Sequence, residues 1–445
     1  MKNTRVSRRR MLASSAGLGA AAMIGGRGAL AAPSSPARRP RSEFQEEITL
    51  DVFVHANHPF DMIKPIYEAM YPNVTLNMME QNDVAILRAA LAAGEGVPDI
   101  FWPEIEMVQE LGKTGILLDV TDIVEANADV LSPGKTAECF IPSTDKYAAF
   151  PGDIATVGLY YRQDKLDEAG VTIPDSWTWD EFLEAGKQIK EATGAASLVI
   201  PSGGTSTSAH LFTFLLRQLG GAITNADGTE ITFDNDLGIQ AMEQAARLYQ
   251  ADIHIDEEPF EENYFAEIAA GNVAITPQAV WYRGFGIAPN AIDEQGGLGQ
   301  WRTALLPSAG EGSLRTANLG GAAIASTTYT EHPEEVKNFM TLAMATMEGA
   351  EAGGQWGIQP PYLPYLESDT WTSVRDEAFG EFSFNSVWTQ AVAEYPATWY
   401  KQPVYLEALT TIGAGIIPLL DGSTDITEGL TAMGDQVREI NTRYQ

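Results

Sequence analysis

Residues 150–162 read Phe-Pro-Gly-Asp-Ile-Ala-Thr-Val-Gly-Leu-Tyr-Tyr-Arg, and residues 173–182 read Ile-Pro-Asp-Ser-Trp-Thr-Trp-Asp-Glu-Phe. Pro151 and Gly152 interrupt whatever element precedes them, so Asp153 stands at the start of an apolar, β-prone run. Thr178 and Glu181 have the spacing of a capping box, which predicts that a helix begins there. The stretch therefore predicts a chain crossover that carries a carboxylate and leads into a strand and then a helix.

The size and composition of the chain favour two folded lobes. A chain of 445 residues is longer than a single hydrophobic core usually supports. Its hydrophobic content of 44% is sufficient for two such cores. The single cysteine, Cys139, excludes a disulfide framework and a cysteine-based zinc site, and we expect it to be buried in a core.

The first 31 residues have the features of a twin-arginine export signal. Residues 7–12 read Ser-Arg-Arg-Arg-Met-Leu, a weakly apolar stretch follows, and Ala29-Leu30-Ala31 fits a cleavage site. Residues 32–43, rich in proline and arginine, are expected to form a disordered tether. No cysteine directly follows the cleavage site, so no lipid anchor is expected. We predict a protein that is exported by the twin-arginine pathway and is soluble in the periplasm or outside the cell.

The charge balance argues against nucleic acid and anionic membranes as partners. The chain has 60 acidic and 28 basic side chains, a formal net charge of −32. Six basic residues lie in the predicted signal, so its removal leaves 22 basic against 60 acidic side chains. Binding to phosphates needs basic patches, which such a field opposes. Acid this evenly spread also suggests a salty habitat, where ions screen the repulsion.

Strands and helices alternate in the first part of the chain. Alternating apolar residues at 48–54 predict a strand, and further strands are predicted at 74–79 and 99–102, with helices between them, one of which spans 84–93 and is ended by Gly94. That order predicts a parallel sheet flanked by helices. Ligands of such sheets bind at the carboxyl ends of the strands. The polar and aromatic side chains that follow these strands are Asn57, His58, Gln81, Trp102 and Glu104.

The same alternation resumes beyond the first crossover. A short strand at 198–200, a long helix at 236–252 and a strand at 273–275 predict a second α/β body. The last of these strands leads to a cluster of large side chains on one loop. This cluster consists of Trp281, Tyr282 and Arg283.

Two further crossovers are predicted. One lies near Gly320 and Gly321, and the other lies in residues 355–365, where proline and aromatic residues including Trp356 and Tyr362 are dense. Three crossings divide the chain into two lobes that are each assembled from two segments. The predicted N-terminal lobe is 44–152 plus 316–354, and the predicted C-terminal lobe is 153–315 plus 355–445.

Several short motifs occur in a characteristic order. They are Tyr71-Pro72-Asn73-Val74, Gly94-Glu95-Gly96-Val97-Pro98-Asp99-Ile100, Leu117-Leu118-Asp119, Gly152-Asp153, Gly220-Gly221, Asn272-Val273-Ala274 and Gly320-Gly321. In their order and spacing, over residues 48–440, the chain resembles the extracellular solute-binding proteins of family 1. These maltose-binding-protein-like proteins are the external carbohydrate receptors of bacterial ABC importers.

The resemblance implies a type II periplasmic-binding-protein fold. In that α/β fold, two lobes, each built on a mainly parallel sheet, are joined by a hinge of several crossings and close around a ligand. It also implies a monomeric receptor that needs no cofactor or metal, binds a neutral sugar and presents it to the permease subunits. The many aromatic residues favour an oligosaccharide or a glycoside. Polyols and glycerol phosphodiesters, which are also bound within this superfamily, stay open.

A sugar site needs acceptors for hydroxyl groups and flat rings for the apolar C–H faces of the sugar. The resemblance implies that Asp153 accepts hydroxyl hydrogens at the first crossover. Trp281 would offer a stacking platform, and Arg283 would either contact the ligand or join a surface ion pair. The candidate ligand residues are Asn57, His58, Gln81, Trp102, Glu104, Asp153, Trp281, Tyr282, Arg283, Gly320, Gly321, Trp356 and Tyr362. By contrast, the helical patterns around Trp177, Trp179, Trp371, Trp388 and Trp399 predict core packing.

Enzyme motifs are weak in this sequence. The pair His55 and His58 stands among only five histidines, and no H-E-x-x-H motif supports a zinc site. Ser132 and Lys135 form a formal S-x-x-K motif without the partners that such a nucleophile needs. A secreted glycoside hydrolase or lyase that uses paired carboxylates is the main alternative. A surface adhesin or matrix protein is a third possibility, although such chains tend to be β-rich and repetitive.

Overall fold

The computed structural model describes residues 46–54, 58–80, 84–398 and 400–445. The predicted signal at 1–31 and the tether at 32–43 lie outside these residues, as do the candidate residues Asn57 and Gln81. Within the described ranges, no helix combines the length and the apolar character that a bilayer crossing requires.

Thirteen short or medium strands are found in the described part of the chain. They are β1 (Ile48–Val54), β2 (Val74–Glu80), β3 (Ile100–Phe101), β4 (Phe140–Ile141), β5 (Lys146–Tyr147), β6 (Phe150–Pro151), β7 (Thr156–Arg162), β8 (Leu198–Val199), β9 (His254–Ile255), β10 (Ile275–Ala279), β11 (Trp301–Ala304), β12 (Ala317–Asn318) and β13 (Ala323–Ile324).

The described residues also form seventeen α-helices. They are α1 (Phe60–Met70), α2 (Val84–Ala93), α3 (Ile105–Lys113), α4 (Thr121–Ala126), α5 (Pro133–Glu138), α6 (Gln163–Ala169), α7 (Trp179–Thr193), α8 (His210–Gln218), α9 (Asp236–Gln250), α10 (Glu262–Ala269), α11 (Pro333–Ala345), α12 (Met347–Trp356), α13 (Leu363–Leu366), α14 (Asp369–Thr372), α15 (Ser386–Ala393), α16 (Tyr405–Leu420) and α17 (Ile426–Asn441).

The first sheet is parallel, as the alternation of strands and helices predicts. Its strand order is β2-β1-β3, and β1 pairs with both neighbours in parallel register. The predicted helix at α2 and the predicted strand at β1 have the bounds found in the structure. The apolar residues of this sheet pack with helices α1, α11 and α12 in one core.

The second sheet differs from the expected parallel arrangement. Strand β7 pairs antiparallel with β10, β11 and β12, whereas the short pair β8–β9 is parallel and isolated parallel bridges join Ala196 to Val273 and Thr178 to Ser308. The prediction of a mainly parallel sheet in the second lobe is therefore wrong. Consecutive strands are parallel only when a crossover connection, usually a helix, leads the chain back to the starting edge of the sheet. The segment that leads into strand β7 is the first crossover, which contains no such helix.

The buried side chains fall into regions that follow the chain crossings. One set of clusters draws on residues 50–150 and 322–358, and the other draws on residues 154–317 and 350–437. Strands β6 and β13 pair on one side of the crossings, while β7 and β12 pair on the other. The first two crossings are therefore the short segments between β6 and β7 and between β12 and β13.

The described tryptophans for which helical patterns predicted core packing are buried. Trp179, Trp371 and Trp388 have 0%, 1% and 0% of their surface exposed, and Trp177 is also buried. Trp399 lies outside the described residues. Cys139 is buried as well, in agreement with its expected role as a small core residue. The capping box of Thr178 and Glu181 is present at the start of α7.

Candidate functional site

Asp153 lies in the first crossover and is hydrogen-bonded to residues 355–365, the predicted third crossover. Its Oδ1 accepts hydrogen bonds from the backbone N–H of Ala155 at 3.2 Å and of Gln359 at 2.9 Å. Within the described residues no donor reaches its Oδ2. Burial raises the pKa of this carboxyl to about 6, against the lowering effect of the Gln359 hydrogen bond and of Lys135. Asp153 therefore holds the crossovers together with one oxygen and keeps a second acceptor available.

Trp102 and Glu104 follow strand β3 and lie against the same crossover. A Cβ on Gly152 would come within 2.7 Å of the Trp102 ring, so this contact requires glycine. Glu104 is at the N-cap position of α3, but its side chain makes no capping hydrogen bond. Its charge is close enough to Asp153 to contribute to the raised pKa of that carboxyl. Glu104 is partly exposed and its carboxylate is left for another partner.

Gly320 and Gly321 form the second crossover, and both have the positive φ that glycine adopts without strain. The indole Nε1 of Trp281 donates to the carbonyl of Leu319 at 3.0 Å, which fixes the ring beside Gly320. A Cβ on Gly321 would lie 2.9 Å from the backbone oxygen of Asp153. The structure thus brings Trp102, Asp153 and Trp281 to neighbouring crossovers.

Trp281 belongs to an aromatic patch that the sequence did not reveal. Strand β10 ends directly before it, and its ring lies 5.8 Å from that of Phe260 and 6.1 Å from that of Phe285, centroid to centroid. Phe265 extends the patch through a contact of 5.4 Å with Phe285. All four rings, which we call the aromatic patch, are only partly buried. Phe260 and Phe285 are 25 residues apart in the sequence, so only the presence of Trp281 nearby could have drawn attention to them.

A cluster of buried charged side chains, which the sequence analysis did not predict, also lies beside the second crossover. Lys135 and Glu138 form an ion pair of 2.8 Å with 0% and 2% of their side-chain surfaces exposed. The hydroxyl of Tyr395 donates to the other oxygen of Glu138 at 2.5 Å. Lys401 donates to the backbone oxygen of Gly320. Together with Glu106, whose charge interacts with Lys401 and Lys135, these residues form what we call the crossover ionic cluster.

The pKa values of this cluster follow from burial and from its pairs. Burial opposes ionisation of Glu138, but Lys135 and Lys401 outweigh it and hold the pKa of that carboxyl below its usual value. Burial and the neighbouring charge of Glu104 raise the pKa of Glu106 to about 7. The cluster therefore keeps its central ion pair charged at neutral pH, while Glu106 at its edge is partly protonated.

Two residues of the predicted loop cluster are occupied by internal contacts. Tyr282 is fully buried, and its hydroxyl donates to the carbonyl of Pro259 at 2.6 Å. Arg283 forms a 2.8 Å ion pair with Asp376 and lies 5.2 Å from the centre of the Phe384 ring. Arg283 thus forms an ion pair, which was one of its two predicted roles, but the pair is mostly buried and not on the surface. The structure uses Tyr282 for packing, and its role as a ligand residue stays a prediction.

The remaining described candidates, His58, Trp356 and Tyr362, make other contacts. His58 accepts a hydrogen bond from Phe60, whose ring contacts Trp102 at 5.3 Å. Trp356 packs against the core of the first sheet. Tyr362 precedes α13 and pairs with Leu131 in an isolated bridge. Their roles in binding stay predictions.

The arrangement suits recognition of hydroxyl groups better than metal chemistry. The described residues contain no group of three or more His, Cys, Asp or Glu side chains placed to hold a metal ion. Glu104 and Asp153 offer carboxylate oxygens, and Trp281 offers a ring face. Acceptors beside an aromatic face are what a polyhydroxylated molecule requires.

Comparison with known proteins places the chain in a family. The family model described as bacterial extracellular solute-binding protein matches residues 42–350, which is more than half of the chain. An arabinooligosaccharide-binding protein of Halalkalibacterium halodurans is 28% identical over 310 residues. The match covers 67% of this chain and 66% of that protein, so it spans just under two thirds of the length of this relative.

Solved structures agree with the fold. A binding protein associated with an ABC transporter of B. animalis subsp. lactis Bl-04, in complex with β-1,6-galactobiose, superposes with a TM-score of 0.72 at 22% identity, covering 90% of this chain and 98% of that chain. Maltose-bound MalE3 of T. maritima gives 0.69 at 16% identity, covering 88% and 100%. The predicted two-lobe, type II periplasmic-binding-protein fold is confirmed. The chain is a member of the bacterial extracellular solute-binding protein family.

Proposed function

We propose that this chain is an extracytoplasmic receptor of an ABC importer that binds a neutral sugar or oligosaccharide between its lobes. The family and the arabinooligosaccharide-binding relative support a carbohydrate as the ligand. The receptor delivers the sugar to the permease subunits in the membrane. It acts as a monomer, without a cofactor and without nucleic acid as a partner.

One observation carries the proposal. Carboxylate oxygens of Glu104 and Asp153 that the fold does not use lie at the crossovers near the ring of Trp281, whose own N–H is already bonded to Leu319. Buried polar groups in a folded protein normally find partners. Acceptors left without donors next to a ring fit a ligand that supplies hydroxyl groups and a C–H face.

We propose the lobe boundaries 44–152 plus 316–354 and 153–315 plus 355–445. The division of the buried clusters into residues 50–150 with 322–358 and residues 154–317 with 350–437 supports the number and order of these segments. The pairing of β12 with β7 moves the second boundary past Asn318. Glu104 then belongs to the first lobe and Trp281 to the second. A ligand that contacts both shifts the population towards the closed arrangement.

We further propose export by the twin-arginine pathway and location in the periplasm or outside the cell. The Arg8-Arg9-Arg10 run followed by an uncharged stretch supports export. The twin-arginine pathway transports folded proteins, and a strongly acidic chain that folds rapidly in a saline cytoplasm would suit such a pathway.

A thermal-unfolding screen tests the function. The panel contains arabinooligosaccharides, β-1,6-galactobiose, maltose, lactose, a polyol and glycerol phosphodiesters. A ligand of the folded state raises the unfolding midpoint by mass action. We expect at least one neutral saccharide to raise it in a concentration-dependent manner.

The same samples separate a receptor from the glycoside hydrolase or lyase alternative. We expect each bound saccharide to be recovered intact after long incubation, as judged by chromatography. Cleavage products, absent from a heat-denatured control, would favour the enzyme. A panel without any saccharide effect would contradict the proposed function.

A further inference from the structure

A cavity of about 300 Å³ opens between α5 and the segment that precedes α16. Its floor contains buried Gln109, Glu138, Lys401 and Gln402, and its sides contain the partly exposed rings of Tyr147 and Tyr400. None of the candidate sugar-binding residues lines it. The cavity is therefore separate from the group around Asp153 and Trp281, although Lys401 reaches from it to Gly320.

Two buried acceptors in its floor have no donor. The Oε1 atoms of Gln109 and Gln402 accept no hydrogen bond from the described residues. The amide orientations are fixed, because Gln109 Nε2 donates to the carbonyls of Glu138 and Phe140 at 2.8 and 2.9 Å. Gln402 Nε2 likewise donates to the carbonyl of Ala226 at 2.7 Å. A buried acceptor without a donor has lost its hydrogen bonds to water without replacement, and a hydroxyl group in the cavity would restore one.

The charges that line the cavity are already partnered. Glu138 is paired with Lys135 and accepts from Tyr395, and Lys401 donates to Gly320. An ionic ligand would have to displace one of these contacts. The cavity accordingly favours a neutral occupant whose donors meet the two amide oxygens and whose apolar face lies against the tyrosine rings.

We propose that this cavity is a second small-molecule site, for a neutral ring-sized molecule that carries hydroxyl groups. Its volume lies at the lower end of the range of small-molecule pockets. Gln109, Glu138 and Tyr147 belong to the first proposed lobe, whereas Tyr400, Lys401 and Gln402 belong to the second. An occupant that contacts both walls stabilises the arrangement of lobes in which the cavity has this shape.

The test uses trans-1,2-cyclohexanediol, a neutral ring with two adjacent hydroxyl groups, titrated against the full-length protein and followed by saturation-transfer difference NMR. Ala397 lines the cavity and is exposed, so Ala397→Trp narrows the mouth without entering a core. Ala270→Trp is the matched control, since Ala270 is also exposed and ends α10 away from the cavity. We expect the wild type and Ala270→Trp to bind alike, and Ala397→Trp to bind at least tenfold more weakly.

Two further variants make the outcome decisive. Gln402→Met removes one acceptor from the floor and is expected to weaken binding of the diol several-fold. Trp281→Ala alters the proposed sugar site and is expected to leave diol binding unchanged. Absence of binding to the wild type, or equal binding by Ala397→Trp, overturns the second site. Loss of diol binding in Trp281→Ala places the probe in the sugar site and also overturns it, without bearing on the proposed function.

Discussion

The aromatic patch and the crossover ionic cluster border the same glycine, yet they leave their functional groups in opposite states. Trp281 lies beside Gly320 with its ring partly exposed, and Lys401 donates to the Gly320 carbonyl. In the ionic cluster Lys135, Glu138 and Tyr395 are buried and bonded to one another. The comparison indicates that the charged groups of the cluster are used to stabilise the crossovers, whereas the ring faces of the aromatic patch are left free to meet a ligand.

Energetics explain why the charged groups of the ionic cluster are not themselves available to pair with a ligand. A buried ion pair must recover the cost of leaving water, and it does so only when each partner is present and hydrogen-bonded. The cluster meets this condition without any ligand. Half-exposed aromatic rings need no charged partner, and burying their apolar faces against a ligand is favourable.

The largest expected effect is on stability, from breaking the buried pair. Lys135→Met leaves Glu138 with a buried charge whose ion-pair partner is gone, and we expect the free energy of unfolding to fall by about 3–5 kcal/mol. Chemical denaturation followed by circular dichroism measures it. Lys187→Met is the matched control, because Lys187 pairs with Glu184 at 2.9 Å with both side chains largely exposed. Its expected loss is below about 1 kcal/mol, and equal losses in both variants would remove the contrast.

A smaller loss is expected when the cluster loses one hydrogen bond and no charge. Tyr395→Phe deletes the hydroxyl that donates to Glu138 at 2.5 Å while keeping the ring. Hydrogen bonds to charged groups contribute about 1.5–3 kcal/mol, so the free energy of unfolding should fall by that amount. The same denaturation experiment applies. A variant as stable as the wild type would show that the hydroxyl does not help to stabilise the ionised Glu138.

The aromatic side should respond in affinity. Trp281→Ala removes the proposed stacking face, and we expect the affinity for a saccharide found in the screen to fall by about 1–3 kcal/mol, measured by isothermal calorimetry. Phe265→Ala serves as the control at the edge of the patch, where Phe285 is the contacting ring, and its loss should be smaller. Unchanged binding by Trp281→Ala would place the sugar elsewhere.

The smallest effect concerns pH and the edge of the ionic cluster. Burial and Glu104 raise the pKa of Glu106 to about 7, above that of an unfolded glutamate near 4.3. Between these values the folded state binds more protons, so the contribution of Glu106 to stability is present at low pH and is lost as the pH rises through about 7. The stability of the wild type relative to Glu106→Gln should thus decrease from pH 4.5 to pH 7.5. A difference that does not change with pH would contradict the raised pKa.

Local sequence patterns anticipated individual elements well. The alternation at β1, the bounds of α2 and the capping box at α7 depend on residues a few positions apart, and each is found as predicted. The antiparallel setting of β7 was missed, because the direction of a strand depends on distant partners. Strand propensity carries no information about that direction.

The candidate site was anticipated only in part. Asp153 and Trp281 follow predicted strand or crossover positions, and the structure brings them to adjacent crossovers. Lys135 and Glu138 are three residues apart on a short helix, a spacing typical of an exposed pair. Their burial arises from Tyr395, more than 250 residues away, and no local pattern reports such a contact.

By itself the sequence determined the two-lobe class and the order of most elements, because periodicity, turn residues and capping are local. Only the tertiary structure decided which charged groups near Gly320 are bonded to one another and which aromatic rings stay open. Burial and hydrogen-bond partnership are properties of segments that meet in space, and they determine whether a carboxylate, an ammonium or an indole is used up by the fold or left for a ligand.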